Sequence, residues 1–222
     1  MPAEVSPVIE EYLETVYRLQ EEGETARTSD MVKMLRVAPG TVTNTIERLE
    51  QEGYVTHEPY KGVKLTQKGR EIALGVVRRH RLSERLLTDL LHIDWDRVHE
   101  AACRLEHGLT EDVISSIEKT LKHPQTCPHG NPIPTKRGEI IEEQSRPLSK
   151  LSEKDQSVIV KITEEMPETL RYLGSLGLKP GASVKILKKA PFNGPITVKV
   201  GNAAHAISHQ MASIIRVKWQ KR

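Results

Sequence analysis

Residues able to hold a metal ion crowd into one short stretch, Val98–His107, which reads V-H-E-A-A-C-R-L-E-H. His99, Cys103, Glu106 and His107 stand at i, i+4, i+7 and i+8. In a helix turning roughly 100° per residue they share a face about 100° wide. Imidazole, thiol and carboxylate on one stripe make a poor hydrophobic seam and a good donor set for a first-row transition metal. A half-set lies upstream in R-R-H-R-L-S-E-R, where His80 and Glu84 are again i, i+4. Either group alone reads equally well as a solvated helix face. Together, with one of only two cysteines inside, they favour ligands. The other cysteine, Cys127, sits with His129 in H-P-Q-T-C-P-H-G-N-P-I-P-T, too proline-rich for a helix. With no second Cys/His pair at finger spacing, that segment reads as a structured loop rather than a zinc half-site.

The elements that must position these groups follow from composition and periodicity. The chain has 222 residues, a net charge of +3 and 4% aromatics, so its cores rest on Leu, Ile and Val. No apolar run approaches the roughly 18 residues of a membrane span, and M-P-A-E-V-S has no leader character. Two cysteines give no disulfide framework. These features predict a soluble cytoplasmic protein without a membrane partner. Charge is uneven: 7 Lys+Arg against 12 Asp+Glu in residues 1–66, 12 against 11 in 67–140, and 14 against 7 in 141–222. A nucleic-acid role therefore has to rest on placement rather than on bulk charge.

Pro7 to Glu22 has helical apolar spacing, with Glu10, Glu11 and Glu14 on or beside the polar side and Ser6-Pro7 as its start. A short helix capped at Thr28 or Ser29 follows, then a Pro39-Gly40 turn. A third helix has Val42, Ile46 and Leu49 inward, and Gly53 ends it. Tyr54–Pro59 and Val63–Thr66 alternate like strands around a Tyr60-Lys61-Gly62 tip. This is the order of a winged helix-turn-helix, in which the helix after the turn enters the major groove. Thr41, Thr43 and Asn44 then face base edges, and Arg48, Lys61 and Lys64 are placed for phosphates. The alternative, a winged helix that docks only protein, lacks an exposed apolar patch.

Thr66 caps a long helix, Gln67 to about Leu91, whose surplus leucines call for a two-fold dimer. Asp94 caps a helix from Trp95 to about His107, and Thr110 starts another to about Leu121. Residues 139–150 look like a charged linker. Beyond Leu151, five short strands and one helix suit a small barrel, with a basic balance of +7 that can contact DNA or face the acidic N-terminal part. The expected class is mainly α with a small β part. Its domains are a winged helix in 1–66, a helical dimerisation and metal-binding domain in 67–140, a linker in 141–150 and a small barrel in 151–222.

The winged helix, H-R-L-x-E-R-L-L, V-H-x-x-A-C-x-x-E-H, G-N-P-I-P and the L-G-L-K-P-G of the barrel together resemble the diphtheria toxin repressor family of metal-dependent regulators. The resemblance spans nearly the whole chain. It implies a homodimer, an SH3-like (FeoA-like) C-terminal domain, two metal sites per subunit and metal-activated binding to palindromic operators of metal-uptake genes, with two dimers per operator as a further possibility. Carried over by position, the primary site uses Glu11, Cys103, Glu106 and His107. Glu14 stands where manganese-responsive relatives place a glutamate one turn on. The ancillary site uses His80, Glu84 and His99, with Glu164 as the candidate from the third domain and Pro167 where a further ligand would stand. Cys103 leans toward Fe(II), the ion expected, and Glu11 and Glu14 toward a harder site, with Mn(II) as the alternative.

Such a metal would tie the first helix to the helix of residues 95–107 and hold two recognition helices about 34 Å apart. It would act through a higher affinity for the DNA-competent state. A rival class is a metal-dependent hydrolase, but the chain has no H-E-x-x-H and no spare general base at a sensible spacing. A second rival, a module that binds metal and not DNA, is opposed by Thr41, Thr43 and Asn44.

Overall fold

The computed structural model describes residues 5–23, 25–58 and 61–218. Pro59 and Tyr60, part of the expected hairpin, lie outside the described residues. The chain forms two compact units. The first comprises residues up to His80, Glu106–Gly108 and Pro134–Glu139, and the second the remainder.

In the first unit α1 (Pro7–Glu22) buries Ile9, Tyr12, Leu13, Val16 and Tyr17, the stripe its spacing calls for. α2 (Thr28–Leu35) stops at Arg36, whose left-handed φ of 55° turns the chain. α3 (Pro39–Gln51) begins on Pro39 itself, where a Pro-Gly turn was expected to precede the helix. Proline at the first helical position has no N–H to leave unsatisfied, and it holds Ala38 extended. Val42, Ile46 and Leu49 of α3 are buried, and Gly53 follows with φ +76°. β1 (Val55–Glu58) and β2 (Gly62–Leu65) pair antiparallel, Val55 opposite Leu65, and Val63 also bridges to Ala26. This is the winged helix-turn-helix. Thr66 Oγ accepts the Gly69 N–H at 3.2 Å and so caps α4 (Gln67–Asp89).

In the second unit α5 is shorter than its periodicity suggests, Val98–Leu105; Glu106–Gly108, which belong to the first unit, continue as a 3-10 turn. α6 (Glu111–Thr120) follows, and Leu82, Ile114, Ile117 and Ile133 form one apolar cluster there. The C-terminal sheet has six strands in the order β3-β8-β4-β5-β6-β7. They are β3 (Ser145–Pro147), β4 (Gln156–Ile162), β5 (Ser183–Lys189), β6 (Ile196–Val200), β7 (Ala203–Ile207) and β8 (Ile215–Lys218). α7 (Pro167–Ser175) and α8 (His209–Ile214) complete this part, and Ile159, Ile162, Leu170, Leu173, Ile186 and Val198 lie in its core. With β3 and β7 as the ends of the order, the pairings leave the barrel open.

Two further features depart from expectation. The segment expected as a linker supplies β3 and then Leu148, which is fully buried. Three residues, S-R-P, are too few to show alternation, and Pro147 is tolerated there because β3 is an edge strand. α8 was not anticipated either; Ser208 Oγ caps it by accepting the Met211 N–H at 3.0 Å.

Candidate metal centres

The break at Leu105 decides how the expected stripe is used. Glu106 and His107 stand on the 3-10 turn and not on α5, which carries His99 and Cys103. In the first unit Glu106 and His107 join α1 and α4. Glu10 Oε2 lies 2.8 Å from His107 Nδ1, and His107 Nε2 lies 3.4 Å from Glu106 Oε1. Glu106 Oε2 accepts from His80 Nδ1 at 2.6 Å. Carboxylates and imidazoles thus alternate along one chain of contacts. Glu14, His80 and Glu106 are all buried and offer ligand atoms within 4.8 Å of one another. Arg79 donates to Glu10 at 2.5 Å and Arg18 to Glu14 at 2.8 Å, fixing two of the carboxylates. Burial raises the Glu106 carboxyl above its ordinary range; the His80 hydrogen bond pulls it back, and the Glu14 charge adds to the rise. Buried acids held this way, beside imidazoles, fit a divalent cation, which would relieve the same unfavourable charge.

The second unit gathers another set. Glu84 of α4 is fully buried, and its Oε1 lies 3.3 Å from His99 Nδ1 and 3.4 Å from His129 Nδ1. Glu165, between β4 and α7, reaches the same two rings: Oε2 is 3.2 Å from His99 Nδ1 and Oε1 is 3.6 Å from His129 Nδ1. Cys127 Sγ is 3.9 Å from His129 Nδ1, and Cys103 Sγ is 3.8 Å from His99 Nε2. His129 donates its Nε2–H to the Trp95 carbonyl at 2.7 Å, which points Nδ1 at the carboxylates. Asn131 Nδ2 holds Glu165 Oε1 at 2.6 Å.

The loop bearing Cys127 and His129 is pinned to β4: the Ile162 N–H donates to the His129 carbonyl, and Gly130 packs against the backbone of Val160 and Lys161. Gly130 has φ +90°, and a Cβ there would lie 1.9 Å from the Val160 oxygen, so only glycine fits. Burial opposes a charged imidazole at both histidines. Hydrogen bonds to Cys103, Glu165 and Glu84 outweigh it at His99, and to Cys127 and Glu84 at His129, and each is pushed up to about 11. Burial raises the Cys127 thiol, and the Glu84 charge raises it further. Carboxylate, imidazole and thiol donors here fit a cation as well, one able to displace those protons.

Several positions differ from the sequence reading. Glu11 is exposed, and Glu10, one residue earlier, reaches His107. Glu10 and Glu14 stand i, i+4, a spacing that could have identified the pair. His80 touches Glu106 of the first set, and Glu84 and His99 lie together in the second, as expected. Cys103 is exposed and pairs with His99. Glu164 accepts from Thr169 Oγ at the start of α7, and its neighbour Glu165 takes the site position. Cys127 and His129, read as a loop, are part of a donor set; no helical or strand periodicity marks such residues. On α3, Thr41, Thr43 and Asn44 are exposed while Val42 and Ile46 are buried. Arg48 is exposed and pairs with Glu52 at 2.8 Å, Lys61 pairs with Glu58 at 2.7 Å, and Lys64 is exposed on the wing.

Three family models match consecutive parts of the chain: an iron-dependent repressor N-terminal DNA-binding domain at 4–63, an iron-dependent repressor metal-binding and dimerisation domain at 66–135, and a FeoA domain at 146–218. The chain is 33% identical over 221 residues to the iron-dependent repressor IdeR of Mycobacterium leprae, covering 94% of this chain and 96% of that one. The chain belongs to the iron-dependent repressor family. Its members are metal-dependent transcriptional repressors that bind DNA and dimerise. A diphtheria toxin repressor from Corynebacterium glutamicum is 33% identical over 214 residues, 89% of this chain and 93% of its own. Among solved structures, a manganese-dependent transcriptional repressor in complex with manganese superposes with a TM-score of 0.85 at 30% identity, covering 95% of this chain and 99% of that one. The family likeness thus takes in iron- and manganese-dependent members, and the SH3-like C-terminal domain is part of it. Among the described residues, no helix is long and apolar enough to cross a membrane.

Proposed function

We propose that this repressor senses a divalent metal at Glu10, Glu14, His80, Glu106 and His107. The observation that carries the reading is the buried meeting of Glu14, His80 and Glu106, drawn from α1, α4 and the 3-10 turn. An ion there links α1, the first helix of the DNA-binding domain, to segments that lie far along the chain. It also removes buried negative charge from a domain that must approach phosphates. The loaded form is the one competent for a palindromic operator, read by Thr41, Thr43 and Asn44, with Arg48, Lys61 and Lys64 on the backbone. Exposed Leu90, Leu91 and Val113 supply apolar surface for a homodimer, which acts in the cytoplasm. The set around Glu84, His99, Glu165, Cys127 and His129 is a second metal centre in each subunit.

Three carboxylates and two imidazoles with no sulfur form a hard donor set. This supports Mn(II) as the activating ion, with Fe(II) as the alternative, because Cys103, the ground for preferring iron, lies with His99 instead. The test is a fluorescence-anisotropy titration of a family-type palindromic operator with Mn(II), anaerobic Fe(II) and Mg(II). Half-activation at free Mn(II) equal to or below that for Fe(II) is expected. Activation at much lower Fe(II) would assign the protein to iron, and activation by none would overturn the reading.

A further inference from the structure

The second centre presents its donors as two sets that overlap. One is Glu84, Cys127, His129 and Glu165, with ligand atoms all within 4.8 Å of one another. The other places Glu84 and Glu165 around His99, at 3.3 and 3.2 Å. Among the described residues, no set that compact contains both imidazoles. What the two sets share is the pair of carboxylates. We infer that Glu84 and Glu165 bridge two metal positions, one completed by His99 and the other by Cys127 and His129. This rests on the reading of that centre as a metal site and gives it a second ion.

The atoms in contact support a bridge rather than one crowded ion. Glu165 offers a different oxygen to each ring, Oε2 toward His99 and Oε1 toward His129. That is how a carboxylate spans two cations. Glu84 offers one oxygen, Oε1, to both rings, as in a single-atom bridge. Each ring turns Nδ1 toward the carboxylates, and His129 is held so by its Nε2–H bond to the Trp95 carbonyl. The positions also differ in chemistry. The His129 position is closed and fully buried, and it has the Cys127 sulfur, which as a thiolate prefers softer ions. The His99 position has oxygen and nitrogen donors and lies beside the exposed Cys103. One pair of acids thus serves a soft and a hard position side by side.

The test uses the full chain in a Glu106→Gln background, which removes the first cluster's ion, with Co(II) and Mn(II) as probes. Two Co(II) per chain are expected, one of them giving the near-ultraviolet thiolate charge-transfer band. Cys127→Ser should lose one ion and the band, and His99→Ala should lose one ion and keep it. Mn(II)-loaded protein should give an exchange-coupled electron paramagnetic resonance signal that each substitution converts to that of an isolated ion. The same coupled signal is sought in the unsubstituted chain, so misfolding of a variant cannot decide the matter. One ion per chain, weakened by both substitutions and never coupled, would overturn the bridge while leaving the centre standing. No ion in the Glu106→Gln chain, with the unsubstituted chain still binding at its first cluster, would overturn the centre itself.

Discussion

The first cluster and the second centre use the same carboxylates and imidazoles but are built in opposite ways. The first draws its donors from α1, α4 and a 3-10 turn, and Arg18 and Arg79 hold two of its acids. The second takes Glu84 from α4 and His99 from α5, but its other donors come from loops, and it includes a buried thiol. Arginine-held carboxylates keep their positions without an ion, so metal there changes charge and linkage. Where imidazoles carry the compensating protons, an ion must displace them first. On this contrast we propose a switch in the first cluster and a stabilising centre in the second.

The sharpest way to break this contrast is to remove one donor from each side. His80→Ala should lower metal-activated operator affinity by about 100-fold or more, the scale of a strong coupling between ligand and DNA states. Cys127→Ser should change it only a few-fold. Operator titration at fixed free Mn(II) measures both, and equal losses would erase the distinction between switch and support.

A smaller effect is expected from Gly130→Ala. The φ of +90° and the 1.9 Å approach to the Val160 oxygen cannot accommodate a Cβ, so the loop holding Cys127 and His129 must shift. A stability loss of about 1–3 kcal/mol is the scale of such strain. Thermal melts should show it, with ion affinity falling at the second centre and unchanged at the first. An unchanged melting temperature would contradict the pinned loop.

The mildest prediction concerns pH. In the metal-free chain His99 and His129 are pushed up to about 11, above the ordinary 6.5 of an unfolded histidine. Between those values the folded state holds protons that the unfolded state does not. Their stabilisation is therefore complete below about 6.5 and is lost as pH rises toward 11. An ion takes the place of those protons, so metal-loaded protein should lose less stability over the same range, and affinity at this centre should rise with pH. Chemical denaturation at pH 6 and 9, with and without Mn(II), checks the sign.

Much of the fold was legible because periodicity reports burial. The stripes of α1 and α3, the wing and the strands β4, β5 and β6 follow from spacing alone. What escaped notice had no period to read. β3 is three residues long, and Glu165 sits in a loop where nothing separates it from Glu164. Cys127 and His129 are placed by a glycine turn against β4. On α1, Glu14 was legible from position, whereas Glu10 and Glu11 both flank the apolar stripe and only the contact with His107 distinguishes them. The helix expected through His107 ends at Leu105 and continues as a 3-10 turn, a change that sequence spacing does not announce.

The most direct test of the central claim is operator binding by Glu106→Gln beside the unsubstituted chain, with and without saturating Mn(II). Glu106 touches both imidazoles of the first cluster. Neutralising it should leave a chain whose operator affinity is weak and indifferent to metal, while the unsubstituted chain gains affinity on loading. Undiminished metal activation in Glu106→Gln would contradict the assignment of this cluster as the switch.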